Sequence, residues 1–339
     1  MISVIIFFVI CIAFSLWNPP YENQRAKIIY WTFCLAAVLI VGFRGEIDKD
    51  YAAYDEMFRT NWLLVEPTFL VIRFLVRDLF GGNVVGLMLV YALIGIPLKF
   101  IAIERYSAFV FPSLLIWIGN LMILQDMTQI RASVACGILL LSIKSLYEKN
   151  WKQYFMFVLL ATMFHASALL MIPLWFLSGK QINRYTWSGV ILGGYTLSLC
   201  GIYFTSLLSF IPIDFVQSKI DIYSVEITDD GGANIFGTFQ MTRIALFLIL
   251  LWNVRKIAIF NRYAPLLLKI MACGLAALPL FKNSLVAGLR ITELLTCVDI
   301  LLYPMLLYLI PFRMVGEWII VGYSAAIIYG RLFIEELLK

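Results

Sequence analysis

The sequence is short of charge. Of its 339 residues, 14% are Asp, Glu, Lys or Arg, against roughly 25% in a soluble domain. That is too little to coat a water-soluble globule, so a soluble enzyme and a disordered chain are both excluded. Histidine is nearly missing: His165 is the single one, which excludes a His-rich metal site and any His–His relay. The six cysteines (Cys11, Cys34, Cys136, Cys200, Cys273 and Cys297) are scattered through apolar runs without a CxxC pair. They read as small buried hydrophobes, with neither a zinc frame nor a disulfide framework. No metal and no cofactor are expected.

What the chain has instead is apolar and aromatic surface, 62% hydrophobic and 15% Phe, Trp or Tyr. Aromatic excess suits the belts that form at membrane–water interfaces. In such a chain the net charge of +5 reports topology first, and no nucleic-acid partner is expected.

A membrane helix needs ~20 apolar residues. Candidate spans are 2–17, 27–42, 84–102, 108–124, 131–147, 186–209, 239–255, 263–281, 289–311 and 315–334. With two ambiguous segments added, the expectation is an all-α polytopic membrane protein of about 10–12 transmembrane helices. It forms one integral membrane domain over 1–339. Segment 2–17 lacks a basic leader and a small-residue cleavage site, and reads as a retained first helix.

Loop charges give the orientation. The short loops 18–27, 99–107, 144–152, 180–184, 255–262 and 312–317 hold thirteen Lys or Arg and four Asp or Glu. The long loops 43–66 and 210–238 hold four and eleven. The positive-inside rule puts the basic set in the cytoplasm and the acidic pair outside, which in a Gram-negative cell is the periplasm. The first periplasmic region, 43–83, includes Glu66–Phe80, where Pro67 opens a helix and Arg73, Arg77 and Asp78 share a face. It reads as an amphipathic helix at the interface, with a short true span as the alternative. The second is 210–238.

Segment 153–178 breaks this parity, because the loops on both sides are basic. Split at His165 it gives halves of 12 and 13 residues, roughly 18–20 Å each. One reading is a bent or re-entrant hairpin with His165 near its apex. The other is a single tilted helix with one basic loop on the outer side. The residues leave both open.

Ionisable groups at membrane depth are functional candidates: Arg131, His165, Arg243, Lys269, Arg290, Glu293 and Asp299, with Gln125, Asp126, Gln129 and Gln240 as polar groups at helix ends. Arg131 opens a helix, where free N–H groups and positive potential favour an anion. Its fork binds phosphate oxygens in pairs; the other reading is an arginine that snorkels to the interface. Arg290 and Glu293 lie three apart on one helix face, as a structural ion pair or as an arginine held for an anion by its own carboxylate. Arg44, Asp48, Asp50, Tyr51 and Tyr54 combine an arginine, carboxylates and rings, a mixture suited to sugars and equally to a solvated acidic loop. His165 reads either as a packing histidine on an apolar face or as a base for a hydroxyl, where it is the best single candidate with Asp48, Asp50 and Glu293 in reserve.

These residues fall in a series. Arg44…Asp50-x-x-x-Tyr54, Glu66-Pro67-x-Phe69, Gln129-Ile130-Arg131-Ala132-Ser133-Val134-Ala135 and Ala161-Thr162-Met163-Phe164-His165-Ala166-Ser167-Ala168 together resemble the EpsG/Wzy-type family of membrane polysaccharide polymerases. Arg290-Ile291 matches that family's later arginine, and Ala132 stands where many relatives show Gln. The resemblance implies a GT-C-like glycosyltransferase architecture in a bacterial inner membrane. It also implies an O-antigen or exopolysaccharide polymerase joining undecaprenyl-pyrophosphate-linked oligosaccharide repeat units at the periplasmic face. The implied roles are His165, Arg131 and Arg290 in catalysis, and Arg44, Asp48, Asp50, Tyr51, Tyr54, Gln125, Gln129 and Glu293 in substrate binding. Implied partners are the lipid-linked units, membrane lipids, a chain-length regulator and a flippase. The competing classes are a flippase or transporter of lipid-linked oligosaccharide and a membrane O-acyltransferase.

Overall fold

In an apolar medium a long run of Leu, Ile, Val and Phe satisfies its backbone polar groups within itself, as an α-helix. The computed structural model describes residues 1–17, 19, 21–60, 65–203 and 234–338, with Leu285 by its backbone alone. Among these residues there are helices and no strand, apart from one antiparallel bridge between Asp48 and Leu338. Six helices are long and apolar enough to cross a membrane: Gln24–Gly42, Val84–Tyr106, Val110–Thr128, Ile130–Tyr147, Val286–Tyr308 and Arg313–Ile334. Ile2–Trp17, Ala166–Phe176, Thr238–Trp252 and Ala264–Leu280 are shorter apolar helices. The protein is a multi-pass, all-α membrane protein. Each expected span overlaps one of these or the helix Arg184–Leu199. Residues 204–209 of that span, and the outer loop 210–238 up to residue 233, lie outside the described residues.

The described chain divides into two compact units, residues 1–175 with 299–339, and residues 176–298. In the first, we label α1 Ile2–Trp17, α2 Gln24–Gly42, α3 Tyr51–Arg59, α4 Pro67–Arg73, α5 Val84–Tyr106, α6 Val110–Thr128, α7 Ile130–Tyr147 and α8 Trp151–Phe164. Asparagines start several of these elements, because their side chains accept from the free N–H groups of a first turn: Asn23 for Arg25, Asn83 for Gly86 and Asn150 for Gln153. Helices α5 and α7 pack closely at two glycines. A Cβ at Gly95 would meet Ser133 Oγ at 2.6 Å, and one at Gly137 would meet Leu98 Cβ at 2.8 Å. Small residues permit this approach where lipid gives no hydrophobic drive for helices to associate.

The segment around His165 is a hairpin. Helix α8 ends at Phe164, His165 is extended (φ −154°, ψ 119°), and a 3-10 helix follows over Ala166–Phe176. A continuous helix would hold Tyr154 and Trp175 about 30 Å apart; instead their ring centroids are 5.6 Å apart. Tyr154 donates to the Met171 carbonyl at 2.5 Å, and Lys149 donates to the Trp175 carbonyl. The chain therefore enters and returns, and the tilted-helix alternative is set aside.

The segment 67–79 is not among the six long apolar helices. Helix α4 runs on as a π-helical stretch, Phe74–Leu79. It buries Phe69, Ile72 and Val76 and exposes Val71, Phe74 and Leu79. Arg73 reaches the carbonyls of Met57 at 3.2 Å and Thr60 at 2.7 Å, and Arg77 reaches that of Phe58 at 3.0 Å. The two arginines thus tie α3 down by capping its last carbonyls.

Candidate functional site

Helix α6 changes from α- to π-helical at Ile118 and stops at Thr128; α7 starts at Ile130 with Gln129 as its N-cap. π-Helical turns are rare and often sit at functional sites. Arg131 stands in the first turn of α7, as its position in the sequence led us to expect. Its guanidinium forms an ion pair with Glu66, the N-cap of α4. It also lies 5.8 Å from the ring centroids of both Tyr54 and Phe69.

The other oxygen of Glu66 lies 3.4 Å from His165 Nδ1. One carboxylate thus bridges the arginine of α7 and the histidine of the hairpin apex. Thr68, two residues on, donates to the Met163 carbonyl at 2.7 Å, which fixes α4 against the end of α8. Behind these groups runs an aromatic wall. Tyr54–Phe69, Phe69–Tyr91 and Tyr91–Phe164 have centroid separations of 6.4, 6.4 and 6.3 Å. Arg131 Nε and both ring nitrogens of His165 are buried without a protein hydrogen bond, the 3.4 Å approach of Nδ1 to Glu66 being a charge contact. Burial alone would raise the Glu66 carboxyl. The contact with His165 and the charge of Arg131 outweigh it and hold the carboxyl down at about 2, so it is ionised across the physiological range.

Glu66 is the residue that sequence reasoning missed as a site residue. It read as the start of an interfacial helix and as a motif letter. The signal that could have found it is chemical: an arginine and a histidine near membrane depth call for a carboxylate, and Glu66 opens a segment of the same motif series.

The sugar-type cluster divides. Arg44 and Asp48 are buried and paired at 2.7 Å, and Arg44 also donates to the Val41 carbonyl at 2.9 Å. Burial pushes Asp48 above the usual carboxylate range despite Arg44. This pair shapes the chain where α2 ends. The Asp48–Leu338 bridge brings the C-terminal segment to the same loop. Tyr54 is buried under Arg131, so its ring serves the guanidinium and offers no open face to a sugar. Asp50 and Tyr51, half-buried at the start of α3, keep the exposure a sugar contact requires. Gln125 is fully buried in α6, and Gln129 is half-buried beside Arg131.

Two expectations need correction. Lys99, counted with the basic loop 99–107, is fully buried inside α5. Its ammonium donates to Asp126 at 2.6 Å, to Ser133 Oγ at 2.8 Å and to the Ser133 carbonyl at 3.0 Å. Asp126 also accepts from Trp117 Nε1 at 2.9 Å. A buried ammonium needs such partners, and these staple the end of α6 to the first turn of α7, where Arg131 sits. Asp299, the buried carboxylate of the later span, accepts from Asn120 at 2.6 Å.

The second correction concerns Arg290 and Glu293, which belong to the other unit, on the helix Leu285–Thr296. Arg290 is exposed and Glu293 half-buried. No ion pair joins them, so neither form of the paired reading holds. In the same unit, Arg243 stacks on Phe239 at 4.2 Å, Gln240 donates to the Leu275 carbonyl at 3.1 Å and Lys269 donates to the Ser178 carbonyl at 2.6 Å. These three have internal partners of their own.

Comparison with known proteins gives one finding. The family model described as EpsG family matches residues 27–336, nearly the whole chain. No curated protein and no solved structure matches it.

Proposed function

Since the chain belongs to the EpsG family, which supports a polysaccharide polymerase in general terms, we propose that it joins undecaprenyl-pyrophosphate-linked oligosaccharide repeat units at the periplasmic face of a bacterial inner membrane. The observation that supports this reading is that one carboxylate, Glu66, lies against both Arg131 and His165, with Arg131 Nε and both His165 ring nitrogens without a protein hydrogen bond.

In the proposed reaction an acceptor hydroxyl attacks the anomeric carbon of the growing chain. The bond from that carbon to the pyrophosphate oxygen breaks, and the lipid pyrophosphate leaves with the electron pair. The hydroxyl proton passes to His165 Nε2, the ring nitrogen that faces away from Glu66. Glu66 orients the ring through Nδ1 and stabilises the imidazolium that forms, the part a carboxylate plays beside a catalytic histidine. Arg131 stabilises the charge that develops on the leaving group. Its position over two rings and beside one carboxylate fixes the fork before substrate arrives. A low-dielectric wall of aromatic residues strengthens both effects.

Asp50, Tyr51 and Gln129 are the proposed sugar contacts. Arg290 is proposed as a second arginine for the pyrophosphate, carried by the resemblance alone. The polyprenyl tail needs no polar residue and would lie along the apolar helices. A chain-length regulator and a flippase are the proposed partners.

The test is the surface glycan of a deletion strain carrying single variants. Arg131→Ala and His165→Ala should leave glycans of one repeat unit with the protein still in the membrane. A normal ladder from either variant would remove that residue from the reaction.

A further inference from the structure

The unit of residues 176–298 carries a cavity of about 560 Å³ at its basic end, within the range of small-molecule sites. Lys180, Arg184 and Arg255 line it, together with Asn183, Tyr185 and Trp252. The three cations come from two separate segments, Lys180 and Arg184 from the lead-in and first residue of the helix Arg184–Leu199, and Arg255 from the short helix Val254–Phe260. No described residue forms an ion pair or hydrogen bond with any of them. Glu293 is the only carboxylate among the described residues of this unit, and it does not line the cavity. Three positive charges therefore converge on one space with no carboxylate among the described residues to neutralise them.

The aromatic groups give the site its shape. The Arg184 guanidinium lies 4.7 Å from the Trp252 ring centroid and 5.3 Å from that of Tyr185. The two rings meet edge to face at 5.8 Å. Stacking engages the face of the guanidinium and leaves its in-plane N–H groups for a ligand. Trp252 and Tyr185 are both exposed, as residues of an interface belt are. Lys180, Arg184 and Arg255 belong to the loop set that the charge rule puts in the cytoplasm.

We propose that this cavity binds a phosphate-bearing anion, with the headgroup phosphate of an anionic phospholipid and a free phosphate as its two possible sources. Arg184 takes two phosphate oxygens with its fork, Lys180 and Arg255 supply the remaining charge, and Trp252 and Tyr185 pack against the ligand's apolar part. Basic pockets between membrane helices on the cytoplasmic side recognise acidic headgroups by this chemistry.

The experiment is native mass spectrometry of the full-length protein in detergent. Phosphatidylglycerol and phosphatidylcholine are added at equal concentration, and thermal unfolding is followed with inorganic phosphate in a parallel arm. The wild type should retain phosphatidylglycerol about ten-fold or more over phosphatidylcholine, the order that a few Lys and Arg contacts to an acidic headgroup supply. The triple variant Lys180→Gln, Arg184→Gln, Arg255→Gln should lose that preference. A second triple variant, Lys144→Gln, Lys256→Gln, Arg262→Gln, removes the same charge from the basic loops without touching the cavity and should keep it. Stabilisation of the wild type by inorganic phosphate without a lipid preference would assign the site to a free anion. If the first triple variant does not fold, the single variant Arg184→Lys decides, with its charge kept and its fork lost: it should bind markedly less phosphatidylglycerol than the wild type. Equal retention of the two lipids without phosphate stabilisation would overturn the proposal. So would equal loss in both triple variants, or an Arg184→Lys variant that binds like the wild type.

Discussion

Replacing Glu66 by glutamine keeps the shape of the side chain and removes the charge that holds Arg131 and His165 together. A buried ion pair broken on one side costs about 3–5 kcal/mol, and an exposed one about 0–1 kcal/mol. The Arg131 and Glu66 side chains are 19% and 14% exposed, so the cost falls between these limits, at about 2 kcal/mol. That corresponds to roughly a 30-fold loss in occupancy of the competent arrangement. It is small against a domain stability of about 5–15 kcal/mol, so the protein should still reach the membrane. The assay is chain elongation on purified lipid-linked repeat units, read beside a gel of the surface glycan. The Glu66→Gln variant should elongate at least ~30-fold more slowly than the wild type and leave short glycans. A wild-type rate with a full ladder would refute the bridge as the organiser of the site.

The same carboxylate has a signature in pH. Its folded value of about 2 lies below the ordinary 4.5. A carboxyl depressed on folding contributes stability above its unfolded value and loses it as pH falls towards the folded one. Wild type and Glu66→Gln should therefore differ most in melting temperature above about pH 5 and converge as pH drops from about 4.5 towards 2; a constant gap would contradict the assignment. Arg131→Lys should be nearly as inactive as Arg131→Ala in the elongation assay, because a point charge lacks the fork. Lys99→Met should destabilise the protein by about 3–5 kcal/mol by leaving Asp126 buried and unpaired, and adding Asp126→Leu should recover much of that loss in thermal unfolding. Cysteines placed at Lys152 and Phe176 should react with an impermeant reagent from the same side of the membrane, as the hairpin requires.

The fold was largely legible because scarcity of charge makes hydropathy decisive. Among the described residues each expected apolar span overlaps a helix, and the break at His165 was visible as a change in pattern. The choice between hairpin and tilted helix was not, since it depends on Trp175 stacking on Tyr154, a contact that loop charges cannot register. Arg131 and His165 stood out as ionisable groups in apolar surroundings. Glu66 did not, because its carboxylate gains meaning only when three separate elements meet. Lys99 was misread for a related reason. A lysine near the end of a span usually reaches the interface with its long stem, and the partner that buries this one, Asp126, is on another helix. The Arg290–Glu293 spacing permits a pair on one face, but burial separates them: one side chain stays exposed while the other turns inward.

The most direct measurement is elongation by the purified protein in detergent, supplied with undecaprenyl-pyrophosphate-linked repeat units and EDTA, comparing wild type with His165→Ala and Arg131→Ala. The account predicts a ladder of chain lengths from the wild type in EDTA and only the starting unit from either variant. A ladder from His165→Ala or Arg131→Ala, or a wild-type reaction that fails in EDTA and returns with Mg²⁺ or Mn²⁺, would contradict it.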